Sequence, residues 1–178
     1  MHLRHLLLLV PLLLTGCGGW RDTVDQRLPA YGHRNWICVV DAAYPLQTSP
    51  GVETVVTGTD QLAVVDAVLT AVGRQAHVRP VILVDRELAA VAEADAPGIT
   101  AYRTALAARL AGLASEARPH EQIIHDLDAA GGLVRVLILK TNLTLPYTSV
   151  FIRLDCGYWT PEAEQRLRTA LAAQTPGK

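Results

Sequence analysis

Two residues flanking one apolar run are the first in this chain to suggest chemistry. His33 lies in Tyr31-Gly32-His33-Arg34-Asn35, just before the run Trp36 to Val40, and Asp41 lies just after it. Histidine titrates near neutral pH and can take or give a proton, and a carboxylate accepts hydrogen bonds from ligand donors. Ligands of open α/β sheets sit beyond the carboxyl ends of the strands, which is where Asp41 falls. At about 3.3 Å per residue, Trp36 to Asp41 spans roughly 16 Å if extended. One small ligand meets both residues only if the His33 loop folds back; otherwise the two belong to pockets shared between neighbouring copies. Taken alone, Asp41 equally suits a turn cap, and His33 an exposed loop.

Other candidates are weaker. His120 and His125, with Asp126 and Asp128 nearby, do not repeat at the i, i+4 spacing that puts two histidine ligands on one helix face. Asp85-Arg86-Glu87 reads as a solvated loop, although Asp85 is placed where it could line a pocket. No serine or cysteine stands in a recognisable nucleophile elbow.

The elements that must position these residues alternate in type. Trp36 to Val40 and Pro80 to Val84 are continuous apolar runs of the kind expected for strands covered on both faces. Val52 to Thr57, Leu133 to Leu139 and Ser149 to Leu154 read as further strands. Thr59 or Asp60 can cap a helix running to Gly73, with Leu62, Val65, Val68, Leu69 and Val72 on its apolar side. The Ala/Leu-rich stretch Ala101 to Ala117 has helical spacing with Thr100 as its cap, and Pro119 to Ala130 suggests a short helix stopped by Gly131-Gly132. Thr160-Pro161-Glu162 starts a last helix that runs to about Ala173, with proline at its first position. Strands alternating with helices predict a three-layer α/β/α domain with a largely parallel sheet.

On those elements, Gly32-His33 followed by Asp41-Ala42-x-x-Pro45 resembles the signature of the D-ribose pyranase / L-fucose mutarotase family. Pro146-Tyr147-Thr148-Ser149-Val150-Phe151-Ile152 is similar to that family's Tyr-x-Asn before an apolar strand, with Gly157 matching the glycine after it. His120-Glu121-Gln122 is similar to a His-Glu-Gln of the ribose branch. The likeness spans roughly Leu28 to Gly157. It departs at Ser149, where the family usually carries Asn, and at Lys140-Thr141-Asn142, which replaces a Thr-Gly-Glu-type turn. The resemblance implies an isomerase that interconverts anomers or ring forms of a free monosaccharide without a cofactor or metal, as a homo-oligomeric ring with sites near subunit contacts. It implies His33 as general acid/base and Asp41, His120, Tyr147 and Ser149 as substrate-binding residues. The departures leave open a non-catalytic sugar-binding or scaffold protein on the same fold.

The N-terminus speaks to location. Leu6 to Leu14 is an apolar run broken only by Pro11, too short for the about 20 residues a membrane-spanning helix needs. Followed by Leu14-Thr15-Gly16-Cys17, it resembles a bacterial lipobox, which implies removal of residues 1–16 as a signal peptide and a diacylglycerol on Cys17. Residues 17–27 then read as a tether or the start of a first helix, and residues 28–174 as one domain on the outer side of a bacterial membrane. Of the 178 residues, 50% are hydrophobic and 19% charged, and the net charge is −1. A sizeable core is available, and the lack of basic excess argues against nucleic acid as a partner. Cys38 and Cys156 lie in apolar stretches and suit either one disulfide or two buried thiols.

Overall fold

A sheet forms where the β-branched runs fall. The computed structural model describes residues 19–174; Cys17 and the expected signal peptide lie outside the described residues. Six strands, β1 (Trp36–Val40), β2 (Val52–Val56), β3 (Val78–Asp85), β4 (Ser115–Arg118), β5 (Val136–Lys140) and β6 (Val150–Cys156), make one sheet in the order β2-β5-β1-β6-β3-β4. Five strands share one direction, and β6 alone runs against its neighbours β1 and β3. The sheet is therefore largely parallel, as expected.

Helices cover both faces. Because strand side chains alternate, Ile37, Val39, Leu137, Leu139, Val150 and Ile152 point to one face. They pack there with α1 (Trp20–Arg27), α2 (Gln61–Gly73) and α3 (Ile99–Leu110). Trp36, Cys38, Val40, Val136, Ile138 and Phe151 point to the other, where α4 (His120–Gly131) supplies Ile123 and Leu127. Each such fully buried side chain contributes roughly 1.5–3 kcal/mol relative to exposure. The result is the three-layer α/β/α architecture. Among the described residues, no helix is long and apolar enough to cross a membrane.

Local signals are mostly honoured. Asp60 Oδ1 accepts from the Ala63 N–H at 3.0 Å and caps α2. Gly157 donates its N–H to the His77 carbonyl at 3.0 Å, so close that a Cβ there would stand 2.6 Å from the Ala76 oxygen. The last helix, α5 (Pro161–Gln174), begins at the expected proline and buries none of its residues.

Two expectations are corrected and one open choice is decided. The helix expected over Ala101 to Ala117 stops at Leu110, because Gly112 takes φ +79 and turns the chain into β4, a polar edge strand beside β3. The cap of α3 is not Thr100 but a carboxylate from outside the helix: Glu93 accepts from the N–H groups of Gly98 and Thr100. Those two donors hold the Glu93 carboxyl below its usual pKa range. The disulfide option falls away, since Cys38 and Cys156 are both free. Cys38 pairs with Phe151 of β6, while Cys156 pairs with Val78 at the far end of that strand. Burial raises the Cys38 thiol pKa far above its ordinary value.

Candidate active site

The single reversed strand creates a meeting point. β1 runs into Asp41 and β3 ends in Asp85, and β6, running the other way, begins there, so Tyr147, Thr148 and Ser149 arrive at the same edge. α4 opens beside them with His120 as its first residue.

Contacts tie four of these residues into two pairs. Ser149 is 2% exposed, and its Oγ donates to Asp41 Oδ2 across a long 3.4 Å. The other oxygen, Oδ1, accepts from the Ala43 N–H at 2.8 Å, so Asp41 caps its own turn as well as facing the site. His120 Nδ1 stands 3.1 Å from Asp85 Oδ1. That is an ion-pair distance, but the approach lacks the alignment of a hydrogen bond, and both carboxylate oxygens of Asp85 and Nδ1 of His120 are buried without a hydrogen-bond partner. Tyr147 presents its ring to His120 edge-on, with centroids 5.6 Å apart and planes at 84°.

Asp85 is the residue the sequence reading misjudged. It is not part of a solvated loop but 2% exposed. Burial raises its pKa above the usual carboxylate value; neighbouring His120 opposes the shift, and the charges of Glu87 and Asp41 add to it. A signal was present: Asp85 follows Val84 at the end of an apolar strand just as Asp41 follows Val40. Glu87, two residues on, accepts from the His120 N–H with both oxygens, at 3.0 and 3.2 Å. A carboxylate at a helix N-terminus is favourably placed.

The floor of this edge is a buried polar network. The Gln61 amide donates to the Tyr102 hydroxyl at 2.9 Å and to the Thr148 carbonyl, to which Tyr102 also donates at 2.8 Å. The Thr141 hydroxyl lies 2.9 Å from both the Val40 carbonyl and Gln61 Oε1. α2, α3, β1 and the chain leading into β6 are thereby locked together behind Tyr147 and Ser149. Burial drives the Tyr102 phenol pKa far up, keeping it a neutral donor. Tyr147 itself takes φ +56, a left-handed conformation that costs a bulky residue energy and clusters at functional sites.

His33 is elsewhere. Its loop does not fold back; it stays at the amino end of β1, exposed, in a groove of 510 Å³ with Arg79, Asp155, Cys156, Trp159 and Glu164. Two cavities touch the carboxyl-end cluster: one of 370 Å³ walled by Asp41, Ala42, Ala43 and Thr144 to Pro146, and one of 520 Å³ to which Asp85 contributes with Val84, Leu88 and Leu106; His120 and Tyr147 line neither. One chain thus gathers Asp41, His120, Tyr147 and Ser149, adds Asp85, and leaves His33 apart. His125 is exposed, and among the described residues no three His, Cys, Asp or Glu side chains are grouped to hold a metal ion.

Compared by sequence, the chain matches no known family profile and no curated protein. Compared by structure, it is similar to Bacillus subtilis RbsD complexed with D-ribose, with a TM-score of 0.54 at 12% identity, covering 75% of this chain and 92% of that one. It is also similar to FucU from Bifidobacterium longum, with a TM-score of 0.51 at 12% identity, covering 75% and 94%. The chain has the fold of RbsD and FucU. A fucose mutarotase from Streptococcus pneumoniae, solved with L-fucose, aligns with a TM-score of 0.47 at 17% identity over 73% and 89%. At such identities the RbsD/FucU fold is what is shared, and the resemblance read from the motifs holds at that level. Within the RbsD/FucU fold, the second motif and Asp41 meet on one edge, while the Gly32-His33 half of the first motif lies across the sheet.

Proposed function

We propose that this protein is a monosaccharide isomerase of the mutarotase or pyranase type, whose substrate sits at the carboxyl edge of β1 and β3. The observation that carries the reading is the convergence there of Asp41, Asp85, His120, Tyr147 and Ser149. A polyol has hydroxyl groups to donate to the Asp41 carboxylate and to a ring nitrogen of His120, and an apolar ring face for the Tyr147 ring. The structural likeness to RbsD complexed with D-ribose supports the same class of ligand.

The chemistry needs no group beyond side chains that move protons. A base takes the proton of the anomeric hydroxyl while an acid delivers one to the ring oxygen. The bond between the anomeric carbon and the ring oxygen breaks, leaving an open-chain aldehyde. After rotation of that aldehyde, a hydroxyl oxygen adds back to the carbonyl carbon, loses its proton, and the new carbonyl oxygen gains one. No net proton or electron is consumed. A positioned general acid/base contributes about 10²–10⁴-fold. His33 takes that role from a neighbouring copy in a homo-oligomeric ring, since it lies across the sheet from its own cluster. Asp41, His120, Tyr147 and Ser149 hold the sugar.

NMR exchange spectroscopy on D-ribose and L-fucose tests this reading. The protein is expected to exchange anomers faster than buffer, and His33→Ala to remove about 10²-fold or more of that rate. Wild-type exchange at the buffer rate would sink it. Mixing His33→Ala with His120→Ala protein tests the shared site. Hybrid rings have some contacts with both histidines intact, so activity is expected to return; two variants that stay inactive on mixing would rule sharing out.

A second reading, a non-catalytic sugar-binding protein, is favoured by one observation: His33 and the binding cluster are separate within a chain. It predicts binding without exchange. The protein is exported and held to a bacterial membrane by lipid on Cys17. Cys17→Ser is expected to move it from the membrane fraction to the soluble one.

A further inference from the structure

His120 is held at its backbone and on two sides of its ring. Glu87 takes its backbone N–H, Tyr147 packs edge-on against it, and Asp85 faces its buried Nδ1 at 3.1 Å. Yet the side chain keeps 31% of its surface exposed. Nδ1 is the ring nitrogen that is buried, so the exposed part carries Nε2. A buried ion pair built for stability alone would have its acceptors filled, because each unfilled one carries a desolvation cost. Asp85 keeps both oxygens short of aligned donors. The arrangement is that of a carboxylate behind a working imidazole, where the partner of one ring nitrogen decides which nitrogen is left as acceptor.

We propose that Asp85 is a positioning residue, fixing neutral His120 as the Nδ1–H form so that Nε2 accepts a hydrogen bond from a sugar hydroxyl. This rests on the monosaccharide reading of the site. Without Asp85, imidazole prefers its proton on Nε2 and would offer a donor where the sugar needs an acceptor. The tightening of a loosely aligned pair on ligand binding is ordinary for such sites.

The test reads the ring directly. In full-length ¹⁵N-labelled protein at alkaline pH, where imidazole is neutral, the His120 nitrogens are identified by their loss in His120→Gln. Wild type is expected to show mainly Nδ1–H, and Asp85→Leu to shift toward Nε2–H. In the sugar exchange assay, Asp85→Leu is expected to raise KM about tenfold, with a smaller change in kcat. A wild-type ring already protonated on Nε2, or a form unchanged by Asp85→Leu, would overturn the proposal. Should Asp85→Leu fail to fold, the wild-type form alone decides. If no sugar is exchanged while the tautomer follows Asp85, the isomerase reading fails and the positioning role stands.

Discussion

The two ends of the sheet are built on opposite principles. At the carboxyl end lie a buried carboxylate with unfilled acceptors, an aromatic residue in a left-handed conformation, and a buried polar network beneath them. At the amino end, Arg79 pairs with Asp155 with both side chains about two-fifths exposed, and His33 faces open solvent. The first end is fixed in advance and incompletely satisfied; the second is satisfied and loosely held. A site that must orient a ligand needs the first kind of construction; under the proposed function, the amino end has only to present His33 to a neighbouring copy.

Four substitutions test that contrast. The largest effect is expected at the floor of the carboxyl end, where Gln61→Leu removes both sides of an amide from a buried network. It should cost about 2–4 kcal/mol in chemical denaturation. A cost under about 1 kcal/mol would mean that the network does not brace the edge.

Asp85→Asn should act in the other direction, raising stability by about 1–2 kcal/mol at pH 7.5 by removing a buried charge. Asp85 has a folded pKa raised above 3.8, mainly by burial. The wild type therefore gains stability as pH falls through that raised value, and holds the full gain below the unfolded value. The advantage of Asp85→Asn should accordingly shrink toward pH 4, and an advantage constant with pH would contradict a buried, ionised Asp85.

Two smaller effects belong to the amino end. Arg34 has φ +74, so Arg34→Gly should gain up to about 1 kcal/mol in thermal or chemical melts without changing sugar affinity. Arg79→Ala should cost no more than about 0.5 kcal/mol, because an exposed ion pair contributes little. A loss of several kcal/mol there would erase the contrast between the ends.

Much of this molecule is legible in its sequence, because its signals are local. The apolar runs of β1 and β3 announce buried strands, Asp60 announces a cap, and Thr160-Pro161-Glu162 announces a helix. β4 is not legible: Ser115-Glu116-Ala117-Arg118 has no apolar face, and only pairing with β3 makes it a strand. The Glu93 cap is hidden for a related reason, since it reaches α3 from a preceding loop. The burial of Asp85 is only half legible: its charged neighbours suggest solvent and its strand-end position a pocket, while α4, which covers it, lies far along the chain. The separation of His33 from Asp41 follows from the length of β1, which is legible in the sequence.

The loosely aligned pair of Asp85 and His120 also makes the protein its own indicator. A ligand that donates to His120 Nε2 binds the folded state and not the unfolded chain, and so raises the melting temperature with concentration. A melting panel of aldoses would therefore rank candidate sugars even if turnover is slow, and the ranking should flatten in Asp85→Asn.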